Sequence, residues 1–157
     1  MYIYTLAFIK KEDEILMLNR NKAPWMGSWN GVGGKRLLNE TPLECIIREI
    51  KEETGININE NQVEYKGIVT WNSNDNNGLY LYLVNYDGPK IKTPKVVAEG
   101  ILDWKNINWL MNKNNTGVCS NIPFFLEDVL YSNILYNHKC YFENDILISV
   151  NKEVLRR

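Results

Sequence analysis

Residues 34–56, GKRLLNETPLECIIREIKEETGI, constrain this chain more than any other stretch, because they specify a glycine turn followed by a helix with both ends defined. Thr41 offers an N-cap hydroxyl, Pro42 suits the first helical position, and Glu44 is spaced to close a capping box. Gly55 stands where a left-handed C-terminal residue is wanted, and Ile56 can fold back onto the last turn. At about 100° per residue, Glu49, Glu52 and Glu53 fall on one face. Leu43, Ile46, Ile47 and Ile50 take the opposite side and are expected to bury against a sheet.

Clustered carboxylates repel one another, and a like-charged i,i+4 pair such as Glu49 and Glu53 disfavours an isolated helix by about 0.2–0.5 kcal/mol. A solvated acidic face accounts for any one of these glutamates, but caps, glycines, arginine and acids agree too closely for that to explain the whole spacing. Oxygen ligands on one helix face suit a hard divalent cation, which takes a few carboxylates, waters and the phosphates of a substrate. The expected chemistry is therefore metal-dependent cleavage of a diphosphate.

Gly34, Glu40, Arg48-Glu49, Glu52-Glu53 and Gly55-Ile56 match the box of the Nudix hydrolases at each fixed position, and the chain resembles that family over most of its length. The resemblance implies an α/β Nudix fold, a mixed β-sheet sandwiched between α-helices. It also implies Mg2+, with Mn2+ as a substitute, held by Glu49, Glu52 and Glu53. Arg48 is, by the same resemblance, a structural partner of the acids, and it lies at helical-neighbour spacing from Glu44 and Glu52, from where it can orient Glu52.

The 157 residues suit a single domain, residues 1–157, with a substantial core. A net charge of −1 offers no bulk positive field for duplex nucleic acid or an anionic membrane. Cys45, Cys119 and Cys140 are odd in number and form no C-x-x-C, which argues against a disulfide frame or zinc site and for a reducing, cytoplasmic setting. The apolar start, residues 1–9, is too short to span a bilayer, lacks a basic leader and alternates like a strand, so no targeting signal is expected.

Residues 2–9 and 15–18 read as a hairpin closed by the polar turn 11–14. Arg20 and Lys22 follow; Arg20 is read either as a solvated charge or as a phosphate contact reaching the site from the side opposite the acids. Residues 24–35 join two tryptophans, an amide and four glycines, which permit close backbone approach to a ligand. Here the resemblance implies that the Gly33 carbonyl joins the metal shell, while Lys35 can meet a phosphate as a point charge. Trp29-Asn30-Gly31 is similar to the segment of Nudix enzymes that sanitise oxidised purine triphosphates, which implies a base contact for Asn30; a turn bond to its own backbone is the alternative. The box departs from many nucleotide-sanitising members at Leu37, where they have an acid, and at Asn39, where they have glycine. Asn tolerates the left-handed region, so the turn is expected to survive.

Residues 62–72 and 79–87 read as strands joined by an Asn-rich turn at 73–78, with Tyr80, Tyr82 and Tyr86 on one side of the second and Leu79, Leu81 and Leu83 mainly on the other. The resemblance implies that Glu99, beside Gly100 and ahead of a strand running to Trp104, approaches the metals or the attacking water; a solvated loop glutamate is the alternative. A helical apolar stripe over 124–131 follows Ser120-Asn121-Ile122-Pro123. This arrangement is similar to that of MutT-like enzymes and implies that the Asn121 amide reads a purine edge, with a helix cap as the alternative. His138 has no nucleophile pattern around it and is expected at the surface or in a turn. Residues 139–143 and 146–150 form an expected final hairpin.

The reaction implied is hydrolysis of a nucleoside triphosphate, with an oxidised purine such as 8-oxo-dGTP leading, to the monophosphate and pyrophosphate. Glu52, Glu53 or Glu99 takes the proton from water. ADP-ribose, a dinucleotide, or binding without cleavage are the alternatives. A small nucleotide is the expected partner, without duplex nucleic acid or membrane, and the protein is expected to be a monomer or homodimer.

Overall fold

Unbroken apolar runs in the first two strands require a sheet covered on both faces, and that is how they are built in. The computed structural model describes residues 2–72 and 77–156, so the first four residues of the expected 73–78 turn lie outside the described residues. The strands β1 (Tyr4–Lys11) and β2 (Glu14–Arg20) form an antiparallel hairpin at their joined ends, with Ile9 opposite Leu16 and Lys11 opposite Glu14. Beyond that they part. The first half of β1 instead pairs with β4 (Val32–Lys35), while the end of β2 takes up the short β3 (Trp29–Asn30).

On its other side β1 runs parallel to β6 (Gly78–Asn85), which is antiparallel to β5 (Val63–Trp71). β2 is antiparallel to β8 (Gly100–Asn106), which pairs with β7 (Lys95–Val97). β9 (Tyr136–Glu143) and β10 (Ile146–Val154) close the list, with β9 parallel to β5. The result is one mixed ten-stranded sheet ordered β10-β9-β5-β6-β1-β2-β8-β7, with β3 on β2 and β4 on β1.

Alternation along β1 and β2 divides the core in two. Ala7, Ile9, Leu16 and Leu18 face Ile46 and Ile50 of helix α1 (Pro42–Thr54). Leu6, Phe8, Ile15 and Met17 face Ile107 and Leu110 of α2 (Ile107–Met111) and Phe125, Leu126 and Val129 of α3 (Ile122–Tyr131). The sheet is thus sandwiched between helices, as expected. Leu81 and Leu83 of β6 join the α3 side, and Tyr80 and Tyr82 the α1 side.

Several strands extend beyond their sequence-based limits: β2 runs on through Asn19 and Arg20, and β10 through Asn151, Lys152 and Glu153. Polar ends carry no apolar signal, yet their backbones still pair. The β9–β10 turn is made by Asn144 and Asp145, both left-handed at φ 49° and 64°.

His138 corrects the expectation of a surface or turn position. It lies inside β9, is 1% exposed, and its ring sits 5.6 Å from that of Phe125 and 5.8 Å from that of Tyr136. The strand expected from Lys139 begins three residues earlier, at Tyr136, and so places 138 and 140 together on the inward face. Neither ring nitrogen has a hydrogen-bond partner among the described residues. Burial pushes the imidazole down to about 4, against the pull of Asp128.

Because the folded imidazole binds its proton less readily, the unfolded chain carries more protons between pH 6.5 and about 4, and stability falls as the pH drops through that window. Denaturation at about pH 7 and about pH 5 should show the wild type losing about 2 kcal/mol more than His138→Leu between the two. Equal losses would mean that His138 is not the acid-sensitive group.

Candidate active site

The turn and helix of residues 34–56 form as their local chemistry directs. The Thr41 hydroxyl accepts from the Glu44 amide at 3.1 Å, and the Glu44 carboxylate accepts from the Thr41 amide at 3.0 Å. At the other end Gly55 is left-handed at φ 80° and donates to Lys51 O. Asn39 is left-handed at φ 66°, so the turn persists without its glycine.

Arg48 is the hub of the site. Its Nε and Nη2 donate to the two oxygens of Glu40 at 2.7 and 2.9 Å, Nη1 donates to Glu49 at 3.0 Å and to Glu52 at 3.2 Å, and Nη2 also reaches Lys35 O at 3.1 Å. Glu52 is a partner as its spacing suggests, but Glu44 is not, because the capping box already holds it. The guanidinium takes the Glu40 carboxyl down to about 2, and the acids hold Arg48 well above its usual range. Glu40 also accepts from the Leu37 amide at 2.9 Å, so the helix entrance is braced without an acid at position 37.

The three helix acids occupy different environments rather than one solvated face. Glu52 is outermost, with its side chain 57% exposed. Glu49 packs where Gly34 leaves room; a Cβ on Gly34 would lie 2.6 Å from the Glu49 carboxyl carbon. Glu53 follows Ile46 and Ile50 at positions i+7 and i+3, on the buried stripe, and is only 5% exposed. One of its oxygens has no partner among the described residues. Burial, then the charges of Glu49 and Glu99, raise its carboxyl to about 8, opposed by the Gly33 amide and by Arg20.

Glu99 and Arg20 reach this neighbourhood through the sheet. Gly100 pairs with Arg20, and a Cβ on it would lie 1.8 Å from Asn19 O, so only glycine allows β8 to start there. Asn21 then fixes the preceding turn, its amide donating to Glu99 O and its side chain to Ala98 O, both at 3.0 Å. Arg20 also clasps the loop after β2, donating from Nε to Pro24 O at 2.8 Å.

The remaining predicted residues are placed less decisively. Lys35 is exposed at the end of β4. Asn30 is half-buried, and its side-chain oxygen accepts from the Gly31 amide at 2.8 Å, the local turn bond that competes with a base contact. Asn121 stands at the α3 N-cap position without a side-chain cap bond; its amide nitrogen instead meets Cys140 Sγ at 3.9 Å.

Among the described residues, no three acid, histidine or cysteine side chains have converged closely enough to hold an ion as they stand. The fit to a hard cation rests instead on Glu53, whose buried carboxyl has an orphaned oxygen and is raised by burial and then by two neighbouring carboxylates, a setting that a divalent cation would relieve.

A cleft of about 450 Å³ opens beside the loop clasped by Arg20, between Trp25, Ser28, Val118, Ser120 and Phe124 and the β9–β10 tip at Asp145. Sequence reasoning missed Phe124, Asp145 and Lys113 as its lining. They meet only through tertiary packing, and nothing in their local sequence signals it.

The NUDIX domain profile matches residues 3–114, and the chain belongs to the Nudix family, whose members hydrolyse phosphoric anhydride bonds. It is 28% identical over 115 residues to the uncharacterized Nudix hydrolase YvcI of Bacillus subtilis, covering 69% of this chain and 68% of that one. Over 55 residues it is 34% identical to the human 8-oxo-dGDP phosphatase, covering 35% of this chain and 17% of that protein. Over 50 residues it is 40% identical to the ADP-ribose pyrophosphatase of Methanocaldococcus jannaschii, covering 32% and 30%. The crystal structure of the mutator MutT protein of Bacillus halodurans superposes with a TM-score of 0.75 at 25% identity, covering 96% of each chain.

Arg48→Ala should destabilise the fold by about 2–3 kcal/mol, since it strands the carboxylate of Glu40 and frees Glu49 and Glu52 together. Urea denaturation measures this, and a loss below about 1 kcal/mol would show the network to be dispensable.

Proposed function

We propose that residues 1–157 act as one nucleotide-hydrolysing domain that cleaves a nucleoside triphosphate, an oxidised purine such as 8-oxo-dGTP, to the monophosphate and pyrophosphate. The observation that carries this reading is the buried, partnerless oxygen of Glu53, with its carboxyl raised first by burial and then by Glu49 and Glu99. Glu49, Glu52, Glu53 and Glu99, with the Gly33 carbonyl, are the ligands proposed for Mg2+ or Mn2+. The Gly33 backbone lies beside Glu53, which supports its carbonyl as a further ligand. When bound, such an ion neutralises phosphate oxygens and lowers the pKa of a water.

The chain's own groups do the rest. Arg48 holds Glu49 and Glu52 in place, and Glu52, Glu53 or Glu99 accepts the proton of the attacking water. Arg20 and Lys35 meet phosphate oxygens with positive charge. Asn30, Asn121 and the cleft beside Trp25 receive the base; at about 450 Å³ the cleft lies within the size range of small-molecule sites. The likeness to an 8-oxo-dGDP phosphatase supports an oxidised purine, and the likeness to an ADP-ribose pyrophosphatase supports a second reading in which ADP-ribose or a dinucleotide is cleaved. Among the described residues no helix is long and apolar enough to cross a membrane. The proposed setting is the cytoplasm, with the protein a monomer or homodimer.

A panel of nucleoside triphosphates, 8-oxo-dGTP, ADP-ribose and dinucleotides assayed with Mg2+ tests the reading. Turnover of 8-oxo-dGTP above the others, lost with EDTA and restored by Mg2+ or Mn2+, is expected; binding without product from any of them would overturn it.

Glu53→Gln should lower kcat by about 10²- to 10⁴-fold without lowering the melting temperature, because it removes an ionisable group from an unfavourable setting. A near-normal rate would remove Glu53 from the reaction. Asn121→Ala should raise KM for oxidised purines more than for pyrimidines, and an equal rise across bases would exclude Asn121 from the base pocket.

A further inference from the structure

Lys105 lies outside everything described above, yet its ammonium occupies a built position. Its Nζ sits 4.2 Å from the centroid of Trp29 and 5.6 Å from that of Trp109, with Asp103 Oδ2 at 3.5 Å. It stands on β8 opposite Ile15, so its backbone is held against β2. Trp29 is the residue on which two loops meet: its amide donates to Gly117 O at 2.8 Å and its carbonyl accepts from Cys119 at 3.0 Å. Ser28 and Val118, on either side of that junction, are walls of the cleft, and Asn30 and Asn121 adjoin it in the chain. Trp109, the other ring, is tied to the same loop, its carbonyl accepting from the Asn115 side chain at 2.9 Å while Asn115 in turn accepts from the Gly117 amide at 2.8 Å.

We propose that Lys105 is a positioning residue for substrate: held between two indole rings, it fixes Trp29 and thereby the spacing of the loops that carry Asn30 and Asn121. This rests on the reading of those loops as the base-binding end of the site. A cation between aromatic faces is attracted to both, whereas an uncharged, unbranched chain of similar length keeps only the packing. Arginine supplies the same attraction through a planar cation, so charge and shape separate cleanly.

The test compares Lys105→Met and Lys105→Arg with wild type, using the nucleotide that the wild type turns over best, alongside the indole N–H resonances in a ¹H–¹⁵N spectrum. Lys105→Met should raise KM by about tenfold with kcat within about twofold, and should shift the Trp29 and Trp109 indole signals while leaving Trp71 and Trp104 in place. Lys105→Arg should restore KM to within about twofold of wild type. Unchanged KM in a folded Lys105→Met, a fall in kcat instead, or no rescue by arginine would each overturn the proposal. The indole shifts need no turnover, so a protein inactive on every nucleotide would refute the proposed reaction while the clamp itself was still tested.

Discussion

The paired hydrogen bonds between Arg48 and Glu40 are the interaction on which the rest of the site depends. They tie the loop that follows β4 to the second turn of α1, and through the same guanidinium they set the positions of Glu49 and Glu52. A bidentate pair of this kind fixes direction as well as distance, because the planar donor fork admits little rotation against a carboxylate. With the loop held, Gly34 stays against Glu49 and the Gly33 amide stays on Glu53. The energetic tension of the site is thereby concentrated at one carboxyl, Glu53, which is buried among like charges and short of a partner.

The parting of β1 from β2 performs the complementary task for the sheet. If the hairpin had remained paired along its length, β4 would have had no edge of β1 to join, and its glycines would not run beneath α1. Because the strands separate, β4 carries its glycines against β1 while β2 continues to Arg20 and meets the start of β8. Acids from the helix, a backbone amide from β4 and the charges of Arg20 and Glu99 therefore approach one place from separate directions. The opening between the strands is also where the loop of Trp25–Ser28 and the segment leading to α3 come together, held by the backbone of Trp29.

Legibility in the sequence followed the range of the forces involved. The helix limits, the left-handed Asn39, the two-sided sheet and the final hairpin were all readable, since capping, turn chemistry and alternation act over a few residues. Arg48 is legible as a partner of the acids, but helical spacing points only to Glu44, which the capping box holds, and to Glu52, whereas its principal partner Glu40 lies eight positions away, before the helix. His138 escapes a sequence reading because the polar residues at the start of β9 carry no apolar alternation, while their backbone pairs with β5 from Tyr136 onward. The cleft is hardly visible in the sequence, for its walls come from three separate parts of the chain, residues 25–28, 113–124 and 145–150.

The sequence by itself determined the class of chemistry: a capped helix bearing acids at fixed spacing after a glycine turn, within one family of hydrolases. Only the tertiary structure decided how those acids differ. Helical geometry alone puts Glu49, Glu52 and Glu53 on a common face, but packing of Ile46 and Ile50 against the sheet turns the helix so that Glu53 is drawn into the protein and Glu52 is left in water. Burial is a property of what lies opposite a residue, and what lies opposite Glu53 comes from β4, the end of β2 and the turn before β8. For the same reason the residues facing the cleft, and Lys105 between its two tryptophans, acquire meaning only once distant segments are brought into contact.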